Sequence, residues 1–335
     1  MMRYATPLIG LLLATASIAP AAGTQLKIAT LAPEGSYWME AMRRGAEDIE
    51  RRTEGRVGFR FYPGGTMGND QAVLRKMRIG QLHGGAMLSG TLAELDPTFE
   101  LYALPLLFRS YSEVDAVRKE MDSRLLARLD DQGLVGFGFI EGGFAYLMSV
   151  QPTRSLADLK GRKAWIPEGD VVGKAILEAA GVSPVPLPLS DVLTGLQTGL
   201  VDTVAGPPVG AVALQWFTKT RYMTPVPIVY TYGALVLSSK AFDKLALADH
   251  DIVRDVLAGV TRDLDARARE DNKGAREALI AQGVQVMEAS PDFEREWQRV
   301  AATANAKLAD VLPIDATLRA VVETRLAAIR TGAGS

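Results

Sequence analysis

The sequence contains no cysteine. This excludes disulfides, thiolate-held metals, thiol catalysis and a lipid-modified N-terminal cysteine. It also suits an oxidising compartment, where free thiols are a liability. Histidine is nearly missing as well. His83 and His250 stand alone, with no HExxH spacing, so no metal site and no cofactor are expected. Neither sign of charge dominates: 37 Lys and Arg face 39 Asp and Glu, a net charge of −2. That balance gives no electrostatic reason to expect a nucleic-acid partner. Past the N-terminus no apolar run approaches the ~20 residues that span a bilayer, so the mature chain is not expected to be membrane-inserted.

Catalytic signatures are absent too. "GGTMG" (Gly64 to Gly68) lacks the Lys-Ser/Thr ending of a phosphate loop. "GFGFIEGG" (Gly136 to Gly143) has the wrong spacing for a dinucleotide fingerprint. No GxSxG elbow occurs. Glu141, beside two glycines, reads as a solvated hairpin carboxylate. Nothing assembles a nucleophile, a base and an orienting group, so no catalytic residue is named and an enzyme is not expected.

What is present is a chain of 335 residues with 48% hydrophobic content, enough for two domains. Residues 1–22 read as a signal peptide: Arg3, an apolar stretch from Leu8 to Ile18, and a small-residue Ala19-Pro20-Ala21 site. The chain is expected to be exported to the periplasm. Leu26–Leu31, a helix capped by Ser36, Arg56–Phe61, a helix over Gln71–Arg78 and Gly84–Ser89 give a β-α-β-α-β series. After a helix over Glu113–Asp131, Leu134–Ile140 and Phe144–Val150 read as two strands. A second series then runs from Lys163 to Ala205. Tyr222–Leu237 reads as a crossing strand pair, and Asp249–Gln282 as one helix long enough to bridge two lobes. Two helices close the chain. The expected fold class is α/β, with two lobes, crossing strands and a cleft between. The expected division is 23–147 plus 233–262 for lobe I, and 148–232 plus 263–335 for lobe II.

One region carries a specific signal. "DLKGRKAWIP" (Asp158 to Pro167) is followed by "GVSPVPLPLSDVLTGLQTGLVD" (Gly181 to Asp202). With "YPGGTMGND" (Tyr62 to Asp70) and "ALPLLF" (Ala103 to Phe108), these segments resemble the substrate-binding proteins of TRAP transporters, dicarboxylate-binding type. The resemblance covers essentially the whole mature chain. It implies a monomeric binding protein that closes on a small ligand and delivers it to TRAP permease subunits in the membrane.

The ligand-site positions depart from that pattern. The resemblance puts a carboxylate-binding arginine two residues before Pro167, where this chain has Trp165. Arg162 lies three residues away, so strand alternation turns it to the other face. The ligand-reaching asparagine of the family becomes Gly206. Leu31, Ala32 and Leu88 stand where polar contacts are expected, Leu189 replaces an aromatic residue, and the second arginine position falls near Phe144-Ala145. The candidate ligand-binding set is therefore Trp165, Phe144, Tyr146, Leu31, Ala32, Leu88, Leu189, Gly206 and Trp216. It predicts a hydrophobic pocket for an apolar or aromatic ligand. Three readings stay open beside it. Trp165 packs in the lobe core; the ligand is a conventional organic acid held by Arg154, Lys163 or another cation; or the chain is a receptor or lipid carrier without a TRAP permease.

Overall fold

The computed structural model describes residues 23–288 and 291–332; the expected signal peptide lies outside them. The strands are β1 (Thr24–Ala29), β2 (Val57–Tyr62), β3 (Gly84–Leu88), β4 (Leu134–Ser149), β5 (Ala164–Ile166), β6 (Pro184–Pro186), β7 (Thr203–Gly206), β8 (Tyr222–Ser238) and β9 (Gln285–Val286). They form one mixed sheet in the order β2-β1-β3-β8-β4-β7-β5-β6, with β9 against β8. The outer strands follow the parallel β-α-β rule, while β4 and β8 run antiparallel through the centre.

Both faces of the central strands are buried, which explains their near-continuous apolar runs. On β8, Ala234 and Val236 join one core cluster, whereas Leu235 and Leu237 join another on the opposite face. A third cluster around Met148, Trp165, Val204 and Trp216 fills the far end. The helix Leu247–Ala281 is 35 residues long, about 52 Å at 1.5 Å per residue. It packs on β4, on the helix Tyr37–Arg52 and on the short helix Pro208–Ala213, so it touches both ends of the sheet.

Two expectations need correction. First, β4 is one strand of 16 residues and β8 one strand of 17, not two strands and a strand pair. Gly138 and Gly143 sit at φ +136° and +97°, where register shifts bend β4 without ending it. Second, Glu141 is in no solvated hairpin. It lies within β4, 4% exposed, facing Arg118 and Arg269. The last helix, Ala316–Arg330, packs on Tyr111–Asp131. Arg330 pairs with Glu113 at 2.8 Å and Asp315 with Arg128 at 3.2 Å.

Candidate functional site

A cavity of about 360 Å³ lies between the two ends of the sheet. Its walls come from β3 and the turn after it (Leu88 to Thr91), the 3-10 turn Pro97–Ala103, the middle of β4, the β5 strand and corner (Ala164 to Asp170), β7 with Pro207, and β8 from Ile228 to Tyr232. The central strands therefore supply the floor, and the parallel strands on each side supply their C-terminal ends. That is where open α/β sheets place ligands.

Of the sequence-named residues, the structure brings Trp165, Leu88, Leu189, Gly206 and Trp216 to this cavity. Trp165 is also core: it is 5% exposed and its Nε1 donates to Leu187 O at 2.9 Å. Its ring meets Trp216 edge-on, centroids 5.4 Å apart at 69°. Trp165 thus packs in the lobe core and also forms part of the cavity wall. Gly206 has a steric reason. A Cβ there would lie 2.9 Å from Cζ3 of Trp216, so the indole occupies the space a side chain would need. The Trp216 Nε1 has no hydrogen-bond partner among the described residues.

Phe144, Tyr146, Leu31 and Ala32 do not line the cavity. Strand alternation explains the first two: Ala145 between them faces the cavity. Phe144 packs on Tyr111 and Tyr230, with centroids 4.9 and 5.7 Å apart. Leu31 and Ala32 belong to the loop after β1, where Gly64 N donates to Ala32 O at 2.9 Å. Arg154 and Lys163, the cations named for an organic acid, also lie outside the lining; Lys163 Nζ donates to Gly199 O at 2.8 Å.

Sequence reasoning missed the cavity's charged groups. They are Glu100, Glu168 and Asp170, all acidic, and no Arg, Lys or His is among the lining residues. Asp170 caps the helix Val171–Ala179, accepting from Gly173 N at 2.7 Å. Burial raises its carboxyl above the ordinary range, offset by the Gly173 and Val172 amides. Glu100 is 5% exposed and accepts no hydrogen bond from any described residue. Burial, with Asp170 nearby, pushes its carboxyl up to about 8. Nothing in "PTFELYALP" signals this; an acidic residue in a short turn ordinarily meets water.

The cavity mouth is bridged. Asn69 Nδ2 donates to Glu168 Oε2 at 3.2 Å, and Gln71 Nε2 donates to Glu168 O at 3.3 Å. On the opposite side, Asn272 of the long helix donates to Gly142 O at 2.8 Å and accepts from Val209 N at 3.2 Å. A Cβ at Gly143 would lie 2.6 Å from that amide nitrogen, so the glycine permits the approach. The two lobes thus touch through the long helix behind and through a polar latch in front.

A ligand-sized cavity enclosed by two α/β lobes, with crossing strands beneath, defines a solute-binding protein of the two-lobe class. Residues 28–310 match the family model of DctP, bacterial extracellular solute-binding protein, family 7. The chain belongs to that family, the periplasmic solute-binding proteins of TRAP transporters, which are transport proteins and not enzymes. It is 25% identical over 270 residues to the C4-dicarboxylate-binding periplasmic protein DctP of Rhodobacter capsulatus, covering 79% of this chain and 80% of that one. A TRAP periplasmic solute-binding protein from Xanthobacter autotrophicus, solved with bound β-D-galacturonate, superimposes with a TM-score of 0.81 at 22% identity, covering 90% of this chain and 99% of the other. DctP7 of Bordetella pertussis, an extracytoplasmic solute receptor binding pyroglutamic acid, gives 0.82 at 21% identity, covering 90% and 99%. Among the described residues no helix is long and apolar enough to cross a membrane.

Proposed function

We propose that this chain captures a small ligand with an apolar or aromatic face and no carboxylate to be clamped, then delivers it to a TRAP-type permease. The observation that carries this reading is the lining: four aromatic rings, many aliphatic groups and no cationic side chain. A carboxylate sealed there would lose a desolvated charge partner, which costs ~2–5 kcal/mol or ~30- to 4,000-fold in affinity. The helix N-terminus at the wall offers no substitute, because Asp170 already caps it. Apolar contact returns about 25 cal/mol per Å² buried.

The related structures hold acids, which favours the competing organic-acid reading. Against it stands the placement of Arg154 and Lys163 away from the lining. The lobes close by hinge motion across β4 and β8, with the Asn69 and Gln71 bridges to Glu168 stabilising the closed form. The boundaries we propose are 23–147, 233–262 and 316–332 for lobe I, with 148–232 and 263–311 for lobe II. We also propose a signal peptide over 1–22 and a monomeric mature protein.

A thermal-shift screen of uronates, dicarboxylates and aromatic compounds tests the ligand class, since a ligand of the native state raises the melting temperature. Aromatic compounds are expected to give the larger shift. Strong shifts from dicarboxylates or uronates, with none from aromatic compounds, refute the reading.

A further inference from the structure

We propose that Glu100 selects the ligand's polar end, and that this end is an organic ammonium group. The inference rests on the apolar-cavity reading and deepens it. Three independent observations converge on the same space. The Glu100 carboxyl lines the cavity, is almost wholly enclosed and accepts no hydrogen bond from any described residue. Burial keeps an unpaired carboxyl neutral and leaves its hydrogen-bonding capacity unused, so a cationic ligand group entering the cavity gains by pairing with the ionised form. The other charged lining residues, Glu168 and Asp170, are also acidic, so the field inside favours a cation. Finally, Trp165, Trp216, Tyr230 and Tyr232 are all in the wall, and aromatic faces attract ammonium groups.

Gly90 keeps the place open. A Cβ on it would lie 3.2 Å from Glu100 Oε1, pressing on the carboxyl from the β3 side. The groups that act on Glu100 from neighbouring elements are the Asp170 carboxyl and the Tyr232 phenol, neither of them cationic. The Tyr232 hydroxyl is engaged elsewhere, donating to Phe99 O.

A proton balance follows. In the empty cavity burial holds Glu100 protonated up to about pH 8. An ammonium ion stabilises the carboxylate, so binding expels that proton to solvent. Affinity for a cation therefore rises with pH up to about 8 and levels off above it.

The test uses three probes of similar shape: phenethylamine as its ammonium ion, 2-phenylethanol and phenylacetate. Their affinities are measured by isothermal titration calorimetry on the full mature chain and on Glu100→Gln. In the native protein phenethylammonium is expected to bind about tenfold or more tighter than the alcohol, with phenylacetate weakest. Its affinity should rise roughly 50-fold between pH 6 and 8, with proton release seen as a buffer-dependent heat. In Glu100→Gln the ammonium advantage over the alcohol and the pH dependence both vanish. Equal binding of ammonium and alcohol by the native protein overturns the proposal and leaves the apolar cavity standing. So does an ammonium preference that survives Glu100→Gln. If phenylacetate binds best, or none of the three binds, the apolar-cavity reading falls and the proposal falls with it. Should the variant fail to fold, the native protein's pH profile decides: a flat profile overturns the assignment.

Discussion

Two glutamates in this protein are buried to the same degree and live in opposite circumstances. Glu141, 4% exposed, accepts from Arg269 at 3.0–3.2 Å and from the Tyr230 hydroxyl at 3.0 Å, with Arg118 3.9 Å away. Asp115, Asp122 and Asp265 complete that network by pairing with the same two arginines. Glu100, 5% exposed, has no such partner among the described residues. Tyr230 joins the two regions, for its hydroxyl serves Glu141 while it also lines the cavity that holds Glu100. The difference separates a carboxylate that holds elements together from one left for an incoming group. The first ties β4 to the long helix and to Tyr111–Asp131; the second ties nothing.

The comparison breaks most readily at Glu141. Replacing it with alanine strips two partly buried arginines of a shared partner and should cost about 3 kcal/mol in urea unfolding. A loss below about 1 kcal/mol would mean the remaining aspartates suffice. Next is Gly206→Asn, which restores a side chain where Trp216 sits. Displacing that indole should cost about 1–3 kcal/mol and change tryptophan fluorescence. An unchanged melt and spectrum would show that the ring yields freely.

Glu100→Gln should act in the opposite direction and raise the melting temperature by a few degrees. The sign follows from linkage: a carboxyl whose folded value lies above its ordinary one carries no penalty at low pH, and the full penalty once pH passes the folded value. The gap between variant and native protein should therefore be near zero at pH 4 and widen up to about pH 8. A pH-independent gap would place the carboxyl in contact with water. The smallest stability change belongs to the mouth. Removing the exposed Gln71 bridge with Gln71→Ala should change stability by less than ~1 kcal/mol, whereas Asn69 also caps the helix Asp70–Arg78 and is left in place. The same change should shift the unliganded protein toward a more open form, read as a larger radius of gyration in small-angle scattering.

Legibility in the sequence follows the range of the forces involved. The long helix was expected over Asp249–Gln282 and is found over Leu247–Ala281. Helical spacing and the lack of an internal proline are local facts. Ser36 caps its helix, accepting from Met39 N, again through contacts a few residues apart. The register of Trp165 against Pro167 sufficed to put its ring at the cleft. Parity failed at Phe144 and Tyr146, because a one-residue uncertainty in a bent strand exchanges the two faces. The bends themselves come from glycines that the sequence presented as a hairpin.

Sequence alone determined the class of the molecule: two α/β lobes, no cysteine chemistry, and the family. Those conclusions need only residue types, spacing and order. What the tertiary structure decided is which charges remain in the cavity and which are already matched. Glu100 and Glu141 look alike along the chain, one acidic residue each in an apolar setting. A carboxylate's character depends on which donors the fold brings within about 3 Å of it, and on how much water it keeps. Glu141 shows the reach involved, for its partner Arg269 lies 128 residues away in the chain.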